Sequence, residues 1–532
     1  MNNSDLIVHT LEQAGVRWVF GVPSGPVLPL IDALRKSSVQ FVLTASETSA
    51  AFMASAVGYL TGVPGVCAST VGPGATNLTT GVGCAWLDRA PLLAITCNVA
   101  TPWLQRRIQM RIDHHALFKP LTKATLACRH ENVAELFSHA LSIATQEPPG
   151  PVHLDLPEDV AQAAAVEFRG GGATFTRAPD LSSEVAEAIA KALQNAKRPL
   201  LITGLSFTRS PASENLLHFI ERQNIPFVTT LHAKGFLPES HANFTGVIGR
   251  ARRSDVKKFT DQADLVIAVG FDPIEINYEE WVKQGTAIVH VSSEAAESGI
   301  GLNLVWNKGC DLAAAIRAMG ESRTEINDWS ARGLRAHRDG FDKALRPACV
   351  SFAPYQALDI LREQLPADGI LAYDVGAHTH QIASQWRTDQ PRTLLATNGW
   401  SSMGYGMPAA YAAKLVHPER AVACVVGDGG FQMTAGELVL ARRLNLAVPL
   451  VILNDGWLGL MKVKQEKRNY PLSGVRLGDP PPSPLHYFGV PCRPAKTVDE
   501  FRQALAWAFA LGGPSVIEAF VDAETYSATV FD

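Results

Sequence analysis

The chain has 532 residues, 47% hydrophobic and 18% charged, so it can bury several cores and does not have a disordered composition. A net charge of −4 without a basic run argues against a nucleic-acid partner, and no apolar stretch of about 18 residues suggests a membrane span. Eight cysteines without a Cys-x-x-Cys pair, after an N-terminus unlike an export signal, favour a cytoplasmic protein with reduced thiols.

Residues 1–168 alternate short apolar strands with helical segments, which predicts a first α/β domain. Glycine, proline or a capping residue follows each strand candidate and precedes a helix-like stretch. The strand candidates are residues 19–22, 40–43, 65–68 and 92–95. Two Gly-Pro loops, residues 21–26 and 71–77, are each weak signals on their own.

Glu47 follows the second of these strands and is predicted to open a helix. A glutamate in the first turn of a helix is usually only a favourable partner of the helix dipole. The residues after Glu47 are mostly Ala and Ser, which would let a second surface pack closely over the carboxyl group. That environment makes Glu47 a candidate catalytic residue.

Residues 181–335 predict a second α/β domain, after a glycine-rich linker at residues 170–179. Its strand candidates are residues 199–203, 226–230, 265–270 and 287–291. A charged segment at residues 321–345 has helical spacing and leads to a third domain.

Residues 351–532 predict the third α/β domain, with strands at residues 369–374, 421–427 and 448–454. Residues 437–446 have helical spacing, so the last two strands and this helix form a strand–helix–strand unit. The predicted fold is therefore three consecutive α/β domains with mostly parallel sheets.

Asp428 and Asp455 each follow the end of an apolar strand in that unit, 27 positions apart. A right-handed crossover places both strand ends at the same edge of the sheet, where open parallel sheets bind ligands. Glycines beside Asp428 let backbone N–H groups approach an anion, and paired carboxylates hold a hard cation such as Mg²⁺. The pair predicts a diphosphate bound through Mg²⁺, although each turn alone is also ordinary turn chemistry.

Gly427-Asp428-Gly429 followed by Asn454-Asp455 resembles the diphosphate-binding motif of thiamine-diphosphate-dependent enzymes, which usually ends in Asn-Asn. Further segments at residues 44–51, 374–378 and 398–410 are similar to family segments, and the resemblance covers essentially the whole chain. It is closest to the acetolactate synthases, and within them to the flavin-independent, catabolic kind. Residues 264–275, followed by Trp281, are similar to a middle-domain signature of those enzymes and lack the arginine that usually follows in flavin-binding relatives.

The resemblance implies thiamine diphosphate and Mg²⁺ as cofactors, bound between a pyrimidine-binding first domain and a diphosphate-binding third domain. The middle domain would hold no FAD. Glu47 would bond to the aminopyrimidine N1′ atom, while the metal ligands would be Asp428, Asp455 and the Trp457 carbonyl. The other cofactor-binding residues implied are Pro23, Asn77, Val375, His378, Ser401, Met403, Gly427, Gly429 and Gly430. In this family the two cofactor-binding domains come from different subunits, so a homodimer or a dimer of dimers is expected.

The reaction implied is decarboxylation of a 2-oxo acid and carboligation of the product to a second carbonyl compound. Gly25 would leave space for the acceptor, Gln109 could bind a substrate carbonyl, and Leu460 would line the donor pocket. Residues 108–113 depart from the acetolactate synthase pattern, which puts pyruvate itself in doubt. A non-ligating decarboxylase of the benzoylformate or phosphonopyruvate type and a catalytically silent paralogue stay open as alternatives.

Overall fold

A computed structural model describes residues 1–166, 178–276, 280–297, 301–321, 325–479 and 481–530. It contains three α/β units, each built on one sheet, which confirms the predicted fold class. Most of the predicted linker, residues 170–177, lies outside the described residues.

The first unit has a parallel sheet whose six described strands lie in the order β2-β1-β3-β4-β6-β5. Its strands are β1 (Trp18–Gly21), β2 (Gln40–Leu43), β3 (Gly65–Ser69), β4 (Leu92–Asn98), β5 (Ala124–Ala127) and β6 (Pro151–Pro157). Its helices are α1 (Asn3–Gln13), α2 (Leu28–Arg35), α3 (Glu47–Thr61), α4 (Pro73–Leu87), α5 (His114–Phe118), α6 (Val133–Thr145) and α7 (Glu158–Gln162). Glu47 opens α3, as predicted.

The second unit has a parallel sheet with the described strands in the order β12-β11-β10-β7-β8-β9. Its strands are β7 (Pro199–Thr203), β8 (Phe227–Thr229), β9 (Phe244–Val247), β10 (Leu265–Val269), β11 (Ala287–Ser292) and β12 (Asn303–Gly309). Its helices are α8 (Ser182–Asn195), α9 (Ser213–Gln223), α10 (Arg253–Thr260), α11 (Leu312–Gly320) and α12 (Ala331–Ala344).

The predicted helix at residues 321–345 is wrong at its start, because residues 325–330 are not helical. The helix α12 begins only after Ser330, whose side chain accepts a hydrogen bond from the Gly333 N–H group. This N-cap satisfies a backbone donor that would otherwise lack a partner, and so it sets the start of the helix.

The third unit has its described strands in the order β14-β13-β15-β16-β19-β18-β17, antiparallel only between β17 and β18. Its strands are β13 (Ile370–Tyr373), β14 (Leu394–Leu395), β15 (Val422–Gly427), β16 (Pro449–Asn454), β17 (His486–Tyr487), β18 (Val490–Ala495) and β19 (Ser515–Phe520). Its helices are α13 (Pro354–Gln364), α14 (Ala377–Gln385), α15 (Gly406–Val416), α16 (Asp428–Thr434), α17 (Leu438–Arg443), α18 (Gly459–Lys467), α19 (Val498–Ala510) and α20 (Tyr526–Thr529).

The predicted strand–helix–strand unit is present, since β15 and β16 are parallel neighbours. Its connection is more divided than the single helix predicted at residues 437–446. One helix, α16, begins at Asp428 itself, and α17 ends at Arg443. Asn445 has a φ of +48°, in the left-handed region that helix interiors exclude.

Two bulk predictions can be compared with the structure. All eight cysteines lie in the described ranges, where they are free of disulfide bonds and seven of them are buried. In the same ranges, none of the helices combines the length and hydrophobicity needed to cross a lipid bilayer.

The first and third units share one hydrophobic core, formed where α3 and α4 pack against α15 and the segment before it. Phe52 of α3 meets Tyr405 edge to face, with ring centroids 5.6 Å apart. Trp400 lies directly against Gly83 of α4, where a Cβ would come 2.7 Å from its ring. The helix that begins with Glu47 is therefore fixed to the third unit of its own chain.

All three units meet at a buried polar junction. Asp88 of the first unit accepts hydrogen bonds from the Asn398 and Gly399 N–H groups, at 3.2 and 2.7 Å. The Asn398 side chain donates to the backbone carbonyl of Glu275 at 3.0 Å. The Glu275 carboxyl accepts from the Leu205 N–H group at 2.7 Å and from the Thr230 hydroxyl at 2.5 Å. The middle unit thus holds the start of the segment that leads to Ser401 and Met403.

Replacing Glu275 with glutamine should flatten the pH dependence of stability. Burial raises the pKa of Glu275 to about 8, despite the hydrogen bond from Thr230. The folded protein therefore keeps this proton to a higher pH than the unfolded chain, and the stability it contributes falls as pH rises from about 4.5 to 8. The melting temperature of Glu275→Gln minus that of the native protein should increase by several degrees between pH 5 and pH 8.

The control is Glu294→Gln, because Glu294 is near the same junction but its side chain is 57% exposed. A native-minus-variant difference in melting temperature that stays constant across this pH range for Glu275→Gln would contradict the prediction.

Candidate active site

A cavity of about 210 Å³ lies at the carboxyl ends of β13, β15 and β16. This is the edge at which open α/β sheets bind ligands. It collects every third-domain residue predicted for the site. They are Val375, His378, Ser401, Met403, Gly427, Asp428, Gly429, Gly430, Asp455, Trp457 and Leu460.

Asp428 and Asp455 are brought to one wall of the cavity by the parallel pairing of β15 and β16. Asp428 accepts hydrogen bonds from the Gly429 N–H group at 2.9 Å and from the Gly456 N–H group at 2.8 Å. Asp455 accepts one from the Trp457 N–H group at 2.8 Å. Gly456 has a φ of +74°, so the tight turn that aims its N–H group at Asp428 favours glycine.

The two carboxyl groups share an electrostatically unfavourable enclosure. Burial raises the pKa of Asp428 to about 6. Burial and, next, the charge of Asp428 raise the pKa of Asp455 to about 7. A divalent cation between them would remove this cost. No cluster of three His, Cys, Asp or Glu side chains suited to a metal occurs among the described residues, so backbone and ligand oxygens would have to complete the coordination.

His378 presents a buried nitrogen to the same cavity. Its Nε2 atom has no hydrogen-bond partner among the described residues, and burial lowers the pKa of the ring to about 4. A buried polar atom without a partner is costly, and a phosphate oxygen would supply one once the ring takes up a proton. Gly427, Gly429 and Gly430 form a glycine cradle beside Asp428. A Cβ at Gly430 would overlap the Asp374 carboxylate, so the backbone of the cradle packs too closely on Asp374 to admit a side chain there.

Met403 and Ser401 come from the segment before α15, and Asp374 fixes that segment. The buried Asp374 carboxylate accepts from the Gly404 N–H group at 2.8 Å and from the Tyr405 N–H group at 3.0 Å. Ser401 has a φ of +50°, an uncommon conformation for a residue with a side chain. The Met403 terminal methyl group lies against Gly429, 3.3 Å from where a Cβ would be.

The cavity also has apolar and aromatic lining residues, which are Leu458, Leu460, Met461 and Tyr526. Tyr526 was not predicted, and it comes from α20, about 70 residues beyond Asp455. Asp374 was predicted only as part of a matching segment. Both act through tertiary contacts that no local pattern reveals.

Glu47 lies at the carboxyl edge of the first unit's sheet, at the start of α3. Its Oε2 atom accepts a hydrogen bond from the Asn77 side chain at 3.0 Å, so these two predicted residues are brought together. Gly74 is packed against the same carboxyl, since a Cβ there would lie 3.2 Å from Oε1. Glu47 is half-buried in the single chain.

Pro23, Gly25 and Gln109 are exposed on the same edge of the first unit. A Cβ at Gly25 would meet nothing within 4 Å in the chain. None of these residues, nor Glu47 or Asn77, is among the described residues that line the third-unit cavity. A single chain therefore presents two separate halves of the predicted site.

Comparison with known proteins agrees with this division. Residues 1–117 match the N-terminal TPP binding domain of the thiamine pyrophosphate enzymes, residues 186–304 the central domain, and residues 374–519 the C-terminal TPP binding domain. A probable acetolactate synthase large subunit from Methanocaldococcus jannaschii is 31% identical over 98% of this chain and 92% of its own length. The acetolactate synthase isozyme 1 large subunit from Escherichia coli is 31% identical over 87% of this chain and 83% of its own length. An acetolactate synthase from Bacillus subtilis is 28% identical over 98% of this chain and 93% of its own length.

The chain therefore belongs to the thiamine pyrophosphate enzymes, which confirms the predicted family and the predicted cofactor, thiamine diphosphate. Within that family it is a thiamine-diphosphate-dependent enzyme close to the acetolactate synthases. The orphaned His378 nitrogen and the glycine cradle beside Asp428 fit a diphosphate group.

Proposed function

We propose that this enzyme decarboxylates a 2-oxo acid and joins the remaining fragment to a second carbonyl compound, as the names of its relatives suggest for them. The observation that carries the proposal is the third-unit cavity. It is lined by Asp428 and His378, which suit a metal-bound diphosphate, and by the apolar or aromatic side chains of Leu460 and Tyr526. Thiamine diphosphate, when bound, supplies the electron sink for the decarboxylation, and the protein supplies position and electrostatics.

Mg²⁺ is the proposed metal. Asp428, the Asp455 side chain and the Trp457 carbonyl would hold it, and hard oxygen ligands of this kind suit Mg²⁺. Val375, His378 and the glycines at positions 427, 429 and 430 would surround the diphosphate. Ser401 would accept a hydrogen bond through its carbonyl, and Met403 would support the bend between the two rings of the cofactor.

The first-domain residues are proposed to act on the cofactor of a partner subunit. Glu47 would bond to the aminopyrimidine, with Pro23 and Asn77 beside it. The proposal is supported by the separation of the two half-sites within one chain and by the binding of α3 to its own third unit. The enzyme would then be a homodimer or a dimer of dimers with its active sites between subunits.

The middle domain is proposed to bind no flavin. In open sheets a nucleotide would lie at the carboxyl edge, beyond β7 and β10. There the Glu275 carboxyl already accepts the Leu205 N–H group, one of the backbone donors that a phosphate would use. A Cβ at Gly204 would lie 2.5 Å from the Phe271 Cα atom, so the two loops are packed directly on one another.

Three residues are proposed to shape the substrate site. Gly25 leaves open space for an acceptor, Gln109 would bond to a substrate carbonyl, and Leu460 would contact the donor. A single methylene in such a pocket changes selectivity by only about 1–3 kcal/mol, so the particular 2-oxo acid depends on fine shape.

The test is a panel of 2-oxo acids, each supplied alone and with an aldehyde or ketone acceptor, in the presence of thiamine diphosphate and Mg²⁺ and without flavin. The expected result is carbon dioxide release coupled to a 2-hydroxyketone product, with one acceptor clearly preferred.

Two outcomes would contradict the proposal. Carbon dioxide with stoichiometric free aldehyde and no ligation product would make the protein a simple decarboxylase. No turnover of any 2-oxo acid by cofactor-loaded protein would favour a catalytically silent paralogue.

A further inference from the structure

A buried histidine lies between two loops of the first unit. His114 opens α5 and is almost completely buried, although its neighbour His115 keeps 39% of its side chain exposed. The Gly72 N–H group donates to His114 Nε2 at 3.2 Å. On the other side of the ring, Nδ1 lies 2.9 Å from the Thr96 hydroxyl and 3.4 Å from an Asp155 oxygen.

These contacts define which ring nitrogen carries the proton. Because Nε2 accepts from Gly72, a neutral His114 carries its proton on Nδ1, where Thr96 and Asp155 can accept it. Asp155 is held in turn by the Asn98 side chain at 3.0 Å. Burial raises the pKa of Asp155, but hydrogen bonds from the His114 ring and the Asn98 side chain are among the interactions that act in the opposite direction, and the pKa is lowered overall, so Asp155 stays an acceptor.

Gly72 is the point at which this pair acts on the rest of the site. It is the N-cap of α4, with a φ of +67°, and a Cβ there would overlap the carbonyl of Met110. Met110 also has a positive φ, of +65°, and directly follows the proposed substrate residue Gln109. His114 therefore holds the start of α4 and the segment before α5 against each other.

The first turns of α4 touch Glu47. Asn77 donates to its carboxyl at 3.0 Å, and Gly74 packs against it. The Thr48 hydroxyl also donates to the Asn77 carbonyl at 2.7 Å, which joins the starts of α3 and α4. A shift at Gly72 would thus be passed to Glu47 through one turn of helix.

We propose that His114, oriented by Asp155, is a positioning residue for Glu47, and that its unprotonated Nε2 atom fixes the N-terminus of α4 through Gly72. The proposal rests on the proposed function only in taking Glu47 as the residue that acts on the cofactor. A misplacement of about 1 Å in such a group can reduce a rate by about 100-fold.

Two substitutions separate the contacts on the two sides of the ring. His114→Gln places an acceptor near the position of Nε2 and can keep the bond from Gly72. His114→Asn retains a polar group near the position of Nδ1 but loses the hydrogen bond from the Gly72 N–H group. The matched control is His115→Asn, in the same helix: His115 lies 3.6 Å from the other Asp155 oxygen, but the hydrogen bond from Gly72 goes to His114.

The rate of hydrogen–deuterium exchange at C2 of bound thiamine diphosphate should fall about 10- to 100-fold in His114→Asn. His114→Gln should recover much of that loss, and His115→Asn should resemble the native enzyme. The affinity for the cofactor with Mg²⁺ should change less than about threefold, because the diphosphate site lies in the third unit. Since C2 exchange needs no 2-oxo acid, this result does not depend on whether carboligation is the reaction.

A second measurement uses cofactor-free protein. Amide exchange over residues 70–78, followed by mass spectrometry, should be slow in the native chain and in His115→Asn, and faster in His114→Asn. Rapid exchange at Gly72 in the native chain would overturn the proposal, even if the variants failed to fold. So would a His114→Asn variant that melts at a lower temperature but exchanges C2 at the native rate, since that is the behaviour of a histidine that only fills the core.

Discussion

Replacing Glu47 with glutamine should reduce turnover by about 10²- to 10⁴-fold, the range that a positioned acid–base group contributes. Glutamine has the same shape and can still accept the hydrogen bond that Asn77 donates to Glu47 at 3.0 Å. The start of α3 should therefore keep its structure, while the side chain at position 47 loses the ability to share a proton with the aminopyrimidine. Steady-state turnover of the preferred 2-oxo acid, at saturating cofactor, measures the effect.

The affinity for thiamine diphosphate with Mg²⁺ should fall much less than turnover in the same variant, because the diphosphate is proposed to bind in the third unit. The control is Glu135→Gln, since Glu135 is also an acidic residue in the first turn of a first-unit helix but is exposed. Undiminished turnover in Glu47→Gln would remove Glu47 from the chemistry. Equal losses in Glu47→Gln and Glu135→Gln would indicate general damage instead.

The parts of this site that could be predicted from sequence are those written in short local patterns. Apolar strands that end in Gly-Asp-Gly and Asn-Asp give the position of Asp428 and Asp455, and parallel pairing of β15 with β16 brings them together. The glutamate at the start of α3 was recognisable for the same reason, because a strand, a capping residue and a helix follow one another directly.

The parts that could not be predicted depend on contacts between distant segments. Asp374 is a partner of Gly404 only after folding, and Tyr526 reaches the cavity from the far end of the chain. His114 was visible as one of two adjacent histidines, but its bond to Gly72 and its pairing with Asp155 bridge 42 and 41 residues. Glu275 matched a middle-domain segment, yet its place at the junction of three units is a property of tertiary packing.

Replacing Asp428 with asparagine should weaken the binding of thiamine diphosphate with Mg²⁺ about 100-fold or more, whereas Asp455→Asn should weaken it less than about tenfold. Both oxygens of Asp428 accept hydrogen bonds from backbone N–H groups. The NH₂ group of an asparagine would therefore face one of these N–H donors, and the substitution would also remove a negative charge. Asp455 accepts a hydrogen bond from the Trp457 N–H group, and an asparagine oxygen can do the same. Titration of the cofactor at fixed Mg²⁺, followed by tryptophan fluorescence, measures both affinities, and equal losses would contradict the assignment.

The two largest effects can be combined to locate the active site between subunits. If Glu47 and Asp428 of one site come from different chains, a hybrid dimer of Glu47→Gln and Asp428→Asn subunits has one site with both changes and one with neither. Random pairing of equal amounts would then restore about a quarter of the native activity, because half the dimers are hybrids with one intact site. If each site lay within one chain, every site would carry a change and mixing would restore nothing. Activity after the two variants are unfolded and refolded together, compared with each refolded alone, decides between these arrangements.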